Sequence, residues 1–176
     1  MPHAVGRPGA EEYAEHYAGY IARVPEENPV AAMAAEIEVT CAMLGRVSEA
    51  DGLKRYAPGK WSVKEVLGHL IDAERVFAYR LFRIGRGDDT PLSGFDENEY
   101  VAKAGFDGRT LASLREEFAA VRAGTVALAR GTAAEAWLRL GTANGKQISA
   151  RALVYVIVGH TAHHLVVLRE RYGVGG

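Results

Sequence analysis

The sequence predicts an all-α protein: a four-helix bundle with one long crossover connection and a short N-terminal helix. Three observations favour this fold class. Apolar residues recur at helical spacing in four long segments, turn-forming residues separate these segments, and one connection is much longer than the others. Internal repeats and a break in composition are lacking. We therefore expect a flexible tail over residues 1–10 and a single domain over residues 11–176.

Helix boundaries in the first half of the chain follow from turn and capping residues. A short helix is expected over residues 11–24, and an Ala-rich helix over residues 29–50. Ser62 and Glu65 form a Ser-x-x-Glu capping box ahead of an apolar period. This box predicts a helix that runs to about Arg86.

The second half of the chain contains the crossover and the other two long helices. Residues 88–106 are rich in Gly, Pro and acidic side chains, and predict a connection with about one turn of helix. Thr110 begins the third long helix. The Asn-Gly pair at 144–145 predicts a small hairpin or tight loop. Ser149 caps the last helix, which ends near Gly173.

Composition argues against several classes of partner. The formal net charge is −1 and the basic residues are spread along the chain, so nucleic acid is not an expected partner. A signal-peptide pattern is lacking and no apolar run approaches the length that spans a bilayer, so we expect a cytoplasmic protein without a membrane partner. Cys41 is the only cysteine. This excludes a disulfide within the chain, and Cys41 is either a small buried hydrophobe or a reactive thiol.

Two histidines, His160 and His164, lie four residues apart in the last predicted helix, near the middle of its apolar stripe. Two imidazoles on a buried face are costly unless a metal ion or a hydrogen-bonding group holds them. Neutral imidazole is a common ligand of zinc and similar ions. The pair therefore predicts part of a metal site, with a metal-free bundle of hydrogen-bonded core histidines as the alternative.

The other histidines differ in the roles that their positions favour. His69 lies one turn into the capped helix, at the flank of its apolar stripe. Whether it reaches the level of the pair depends on the direction in which the helices pack, which the sequence does not determine. His163 is rotated toward the edge of its stripe, where it suits a pocket mouth or an interface. His3 and His16 are expected to be solvated.

Two carboxylates near His69 are candidate catalytic residues. Asp72 either orients the imidazole of His69 or is solvated. Glu74 lies near the centre of the apolar stripe, so it either acts at the site or pairs with an arginine such as Arg80 or Arg122. The chain lacks the His-Glu-x-x-His motif, whose glutamate is the general base of zinc proteases. It also lacks the Glu-x-x-His motifs of di-iron bundles.

Several short motifs carry a family resemblance. In chain order, the motifs are Tyr56 to Leu70 (YAPGKWSVKEVLGHL) followed by Asp72, Glu74 and Arg75, then Gly94 to Glu97 (GFDE), Gly141 to Gly145 (GTANG), and Gly159 to His164 (GHTAHH). Together these segments resemble the DinB-like (DinB/YfiT) superfamily. The resemblance extends from about Tyr13 to Tyr172.

The resemblance implies a four-helix bundle that binds one divalent metal ion through three histidines, one in the second main helix and two in the last. In this chain they are His69, His160 and His164, with His163 outside the set. The family is often dimeric, so a homodimer is expected. Zinc is the first choice of metal and nickel the second, because imidazole suits both ions.

Three neutral imidazoles leave such an ion with its full charge and an open position, which is typical of catalytic zinc. The ion lowers the pKa of a bound water and deprotonates a thiol. The family that this chain resembles includes thiol S-transferases that use mycothiol or bacillithiol, and metal-dependent hydrolases. We therefore expect an enzyme acting on a small molecule, with thiol transfer preferred over hydrolysis and a low-molecular-weight thiol as cosubstrate. The alternative is a non-catalytic metal-binding or sensor module. Trp61, Tyr100 and Tyr155 either line the pocket or pack elsewhere.

Overall fold

Seven α-helices and one β-hairpin form the part of the chain that the structure, a computed structural model, describes: residues 5–24 and 28–175. The helices are α1 (Ala18–Ile21), α2 (Pro29–Leu44), α3 (Glu49–Gly52), α4 (Val63–Gly85), α5 (Glu97–Ala104), α6 (Leu111–Arg130) and α7 (Ala150–Tyr172), and the strands are β1 (Leu140–Ala143) and β2 (Lys146–Ser149).

Four long helices, α2, α4, α6 and α7, make up the bundle. Helix α4 packs against α6 and α7, and α2 packs against the same two helices. This arrangement places α2 and α4 diagonally across the bundle, and α1 packs on the outside of α7. The prediction of an all-α four-helix bundle with a long crossover is confirmed.

The predicted capping residues and the hairpin are also confirmed. Ser62 Oγ accepts a hydrogen bond from the Glu65 amide at 3.0 Å, and Glu65 Oε2 accepts one from the Ser62 amide at 2.8 Å. Thr110 and Ser149 cap α6 and α7 through their hydroxyls, which accept hydrogen bonds from the amides of Ser113 and Ala152. The turn between β1 and β2 has positive φ at both positions of the Asn-Gly pair, which is the geometry that this pair favours.

The predicted helix over residues 11–24 is wrong as a continuous element. The chain forms two 3₁₀ turns, Ala10–Glu12 and Glu15–Tyr17, before the four-residue helix α1. The cause lies at Glu12, whose carboxylate accepts hydrogen bonds from Arg151 on α7 and from the Gly9 amide. These contacts fix the first turn against α7, and the extended backbone of Tyr13 interrupts the helix.

Part of the predicted tail contacts the bundle. Val5 is buried, and Arg7 Nη1 donates a hydrogen bond to the Ile21 carbonyl at 3.1 Å. Residues 1–4, including His3, lie outside the described residues, so the predictions for them stay predictions.

Two other boundaries differ from expectation. The helix predicted over residues 29–50 ends at Leu44, because the chain turns after it and Ser48 caps the separate helix α3. The crossover holds the two-turn helix α5 rather than about one turn of helix. Asp96 caps α5 by accepting hydrogen bonds from the amides of Asn98 and Glu99.

The buried apolar side chains form two clusters along the bundle. Val66 and Ile71, near the start of α4, share a cluster with Leu165 and Leu168, near the end of α7. The later part of α4 shares the other cluster with the first half of α7. Helices α4 and α7 therefore run antiparallel. A residue early in α4 consequently lies level with residues in the second half of α7.

Helix α7 is long and apolar enough to cross a membrane by length and composition alone. This corrects the expectation that no apolar run approaches that length. Within the helix, 67% of the most apolar window is buried inside the protein, as expected for the core helix of a bundle. The cytoplasmic location stays a prediction.

Candidate metal centre

Three histidines meet between α4 and α7. The Nε2 atoms of His69 and His160 are 3.0 Å apart, and the ring centroids of the three imidazoles lie 4.7–4.9 Å from one another. One potential ligand atom from each of His69, His160 and His164 lies within 4.8 Å of the other two. The antiparallel packing of the two helices thus brings His69 to the level of the pair on α7.

Burial keeps these imidazoles neutral. It lowers the pKa of His69 to about 4, and burial together with neighbouring His69 and His163 lowers the pKa of His164 to about 3. The pKa of His160 is lowered well below its ordinary value by burial and by the other histidines. At neutral pH all three rings therefore offer a lone pair.

The donor set fits a small divalent cation. Two nitrogens that share a zinc ion at about 2.0–2.1 Å each lie roughly 3.0–3.4 Å apart, close to the separation of the His69 and His160 nitrogens. A hydrogen bond between two neutral rings explains that contact equally well, but it leaves His164 unexplained. Its Nδ1 atom is buried and has no hydrogen-bond partner within the described residues. A buried nitrogen without a partner is costly, and a cation coordinated through His164 Nδ1 would supply that partner.

Aromatic rings surround the histidine cluster. The ring of Trp61 packs on His69 with centroids 4.7 Å apart, and Phe77 and Tyr20 approach His160 at 5.8 and 5.3 Å. Gly159 allows the approach of Tyr20, because a Cβ atom at this position would overlap the Tyr20 carbonyl group. These rings limit the access of water to the imidazoles.

A cavity of about 320 Å³ opens beside the cluster. All three histidines line it, together with the aromatic rings just described. His163 lines the same cavity, in agreement with its predicted position at a pocket, and exposed His16 lies at its wall. The cluster is therefore accessible to a small molecule from one side.

The two candidate catalytic carboxylates contact other groups. Asp72 is half-buried, its nearest cationic partner is Arg75 at 3.6 Å, and burial raises its pKa. Glu74 is buried, and both of its oxygens accept hydrogen bonds from Arg122 Nε at 2.8 Å. Neither carboxylate is among the described residues that line the cavity. Their catalytic role stays a prediction without support from a contact at the cluster.

Arg122 joins the histidine cluster to the rest of the bundle. Its side chain is fully buried and also pairs with Glu36 on α2. Its Nη2 atom donates a hydrogen bond to Thr161 Oγ1 at 2.7 Å, next to His160 in the chain. Of the two arginines proposed as partners for Glu74, the structure brings Arg122 into contact.

Four further residues considered in the sequence lie in different surroundings. Trp61 lines the cavity, whereas Tyr155 is fully buried and Tyr100 is exposed and lines a different depression. Cys41 is half-buried, and burial raises the pKa of its thiol. Sequence reasoning missed Tyr20 and did not connect Arg80 with the cavity. For Arg80 a signal existed, since it lies eleven residues after His69 and therefore on the same helix face.

Sequence and structure comparisons identify similar proteins. A family model described as the DinB superfamily matches residues 32–168. No curated protein sequence matches the chain.

Solved structures with the same fold include YfiT from Bacillus subtilis, described as "a probable metal-dependent hydrolase with an unusual four-helix bundle topology". It is 16% identical, with a TM-score of 0.70, over 96% of this chain and 94% of that chain. A mycothiol-dependent maleylpyruvate isomerase matches at 17% identity with a TM-score of 0.66, over 82% of this chain and 61% of that chain. At these identities the likeness establishes the fold alone.

Proposed function

The chain belongs to the DinB superfamily, and on that premise we propose that it is a metal-dependent enzyme acting on a small molecule. His69, His160 and His164 hold one divalent cation, zinc first and nickel second, and the reaction is thiol S-transfer or hydrolysis. One observation carries the proposal: three neutral imidazoles from two helices, two of them buried and that of His164 half-buried, converge at the wall of an open cavity.

The chemistry of the ligands supports a catalytic site. Structural zinc ions usually have four protein ligands, whereas catalytic ones have three and an open position. Bound there, the ion would lower the pKa of a water or a thiol. The protein's own residues supply the rest: the imidazoles orient the ion, and the rings of Trp61, Phe77 and Tyr20 exclude bulk water.

Thiol transfer is preferred over hydrolysis for a reason that lies in the residues around the site. Hydrolysis by the zinc-protease route uses a carboxylate as general base. No carboxylate of the described residues belongs to the histidine cluster, and Glu74 is occupied by Arg122. A thiol needs less help, because its ordinary pKa of about 8.5 is far below that of water. A low-molecular-weight thiol cosubstrate therefore fits the site best.

The first experiment measures metal binding. Purified protein is stripped with a chelator, and zinc and nickel are titrated by calorimetry. We expect one equivalent per chain for the wild type. Loss of a hydrogen bond that supports a metal ligand lowers metal affinity by about 10–100-fold. His160→Ala removes a ligand itself, so its metal affinity should fall further than that. His163→Ala removes a neighbouring histidine outside the set and is expected to retain the metal. Unaltered binding in His160→Ala would refute the site.

The second experiment tests catalysis. Zinc-loaded protein is combined with mycothiol, bacillithiol or glutathione and a panel of electrophiles, and separately with ester and amide substrates. We expect turnover with a thiol that disappears in His160→Ala, while circular dichroism shows the fold retained. Turnover of esters or amides without a thiol would instead identify a hydrolase. One bound metal without turnover across the panel would favour a non-catalytic metal-binding or sensor module. The predicted homodimer is tested by light scattering of the same sample.

A further inference from the structure

Arg80 is a buried cation that has no anionic partner among the residues that the structure describes. Its side chain lies in α4 and is 3% exposed. Nη2 donates a hydrogen bond to the Ser93 carbonyl at 2.8 Å, whereas Nε is buried and has no partner within the described residues. Arg122, the other buried arginine of the bundle, has two carboxylates. Burying a guanidinium without a counter-charge is costly, so the position of Arg80 calls for an explanation.

Aromatic rings supply part of that explanation. The guanidinium lies over Phe77 and Phe95, at 5.9 and 6.0 Å from the ring centroids, and it interacts with the Tyr17 hydroxyl. Aromatic faces attract a cation, but they add no negative charge. The site therefore resembles a receptor for an anion, with rings on its sides and a guanidinium that has no counter-charge among the described residues.

Arg80 and the histidine cluster share one cavity. His69, Ala73, Phe77 and Arg80 follow one another along a single face of α4, and all four line the cavity of about 320 Å³. Eleven residues of helix separate His69 from Arg80, which corresponds to about 16 Å along the helix axis. The cavity thus has a histidine end and a cationic end.

The other charged and polar groups of this cavity leave the cationic end unneutralised. Glu97, at the start of α5, lines the cavity but is exposed, and it makes no ion pair with Arg80. His16 and Asn144 are polar and exposed. Water hydrates an exposed carboxylate well, so Glu97 weakens the field of Arg80 only in part.

We propose that Arg80 binds the anionic group, a carboxylate or a phosphate, of an elongated small molecule whose other end lies at the three histidines. The proposal names the substrate class of the enzyme inferred above and rests on that function for the reacting end. The anion site itself depends only on Arg80 and the aromatic rings around it.

The test measures anion binding to metal-free protein by calorimetry. The probes are octanoate, octyl phosphate and, as a neutral control, methyl octanoate. We expect one of the two anions to bind and the ester to bind at least about tenfold more weakly. Arg80→Gln should weaken binding of the anion by about ten- to a hundredfold, the range for a hydrogen bond to a charged group. Preference between octanoate and octyl phosphate decides between a carboxylate and a phosphate.

Matched variants separate this site from general electrostatics. Arg86→Gln removes the same charge just beyond the end of α4, from an exposed position outside the cavity, and should leave binding unchanged. Glu97→Gln removes the opposing charge and should hold or raise the affinity. Arg80→Lys keeps the charge and should lose less than Arg80→Gln, which also covers the case in which Arg80→Gln fails to fold.

The outcomes distinguish this proposal from the metal site. Anion binding that is lost in Arg80→Gln but needs no metal supports the inference, even if the protein then binds no zinc. Binding that occurs only after zinc loading and is equal in Arg80→Gln would overturn it and leave the metal site standing. Equal affinity for octanoate and its methyl ester, or no binding of either anion at millimolar concentration, would also overturn it.

Discussion

Arg122 is the residue that connects all four long helices. From α6 it pairs with Glu74 on α4 and Glu36 on α2, and it donates a hydrogen bond to Thr161 on α7. The side chain is completely buried. Removing it would take the arginine away from the buried carboxylate of Glu74, and breaking a buried ion pair from one side is costly.

We therefore expect Arg122→Met to lower the free energy of unfolding by about 3–5 kcal/mol, the range for breaking a buried ion pair. Urea unfolding followed by circular dichroism measures it. Arg130→Met, in the exposed last turn of the same helix, is the control and should change stability by less than about 0.5 kcal/mol. A loss below about 1 kcal/mol in Arg122→Met would mean that the network adds little to the stability of the fold.

Single residues were predictable from sequence where local geometry decided their role. The spacing of His160 and His164 follows from the helix period, and the structure brings the pair together. The sequence did not determine which arginine pairs with Glu74, because Arg80 and Arg122 carry the same charge and only tertiary packing selects one. Arg80 then lines the cavity without a carboxylate partner among the described residues, and no local sequence pattern predicts this.

At the scale of elements, the contact of α1 with α7 depends on a glycine. Gly159 lies beside His160, and a Cβ atom there would overlap the backbone carbonyl of Tyr20. Backbone atoms cannot move aside as a flexible side chain can. A side chain at position 159 would therefore push α1 away from α7 and disturb the packing of that whole segment.

We expect Gly159→Ala to destabilise the protein by about 1–3 kcal/mol, as overpacking of a core does. Gly124→Ala is the matched control, since it lies inside α6 with open space around its Cα atom. It should stabilise the helix by about 0.5–1 kcal/mol. Chemical unfolding of both variants measures the difference. Equal effects at the two positions would contradict the close approach.

The N-terminal segment is held to α7 by a second contact, which depends on pH. The hydrogen bonds from Arg151, assisted by the Gly9 amide, lower the pKa of Glu12 from its ordinary 4.5 to about 2. Because the folded-state pKa is the lower one, the pair stabilises the fold fully above pH 4.5. That contribution is lost as the pH falls toward 2.

The pair should contribute up to about 3 kcal/mol at neutral pH. Glu12→Gln should therefore unfold more easily than the wild type at pH 7, and the two proteins should converge near pH 2–3. Glu15→Gln, an exposed neighbour, should track the wild type throughout. Urea unfolding from pH 7 to pH 2.5 measures the three curves. A constant gap between Glu12→Gln and the wild type would contradict the assignment.

Elements with a capping signal were predictable, and those defined by distant contacts were not. Ser62, Thr110 and Ser149 mark the starts of three long helices from local hydrogen bonding alone. The break of the N-terminal helix depends on Arg151, more than a hundred residues away in the chain. A pattern read in a short window carries no information about such a partner.

Across the whole molecule, a polar layer divides the hydrophobic core. The boundary between the two apolar clusters lies between Ile71 and Ala73 on α4 and between Val158 and Leu165 on α7. The layer at this level contains His69, His160, His164, Glu36, Glu74, Arg122 and Thr161. The bundle thus holds its candidate metal ligands and its buried ion pairs within about one and a half turns of α4, near the boundary between the two apolar clusters.

The residues of this layer can be identified in the sequence, but the sequence does not show that they meet at one height in the bundle. His69 lies early in its helix and the other two lie midway through theirs, so their meeting depends on the antiparallel packing of α4 and α7. That packing depends in turn on which apolar faces pair across the bundle. The family resemblance supplied the histidine set that helix geometry left open.

A cation in this layer would join two helices that no disulfide links, and its effect should be visible in the stability of the whole bundle. A ligand that binds the folded state alone stabilises it by about 2.7 kcal/mol at a concentration of 100 Kd. For a domain of this size, that corresponds to a rise in Tm of roughly 5–11 °C.

We expect zinc to produce this rise in chelator-treated wild type and in His163→Ala. His160→Ala, His69→Ala and His164→Ala should show none of it. Calorimetric scans with and without zinc measure the shift, and hydrogen exchange should show the added protection concentrated in α4 and α7. An equal rise in wild type and His160→Ala would mean that zinc acts at another part of the protein. A cation held by three rings would stabilise the fold less once one of those rings is removed.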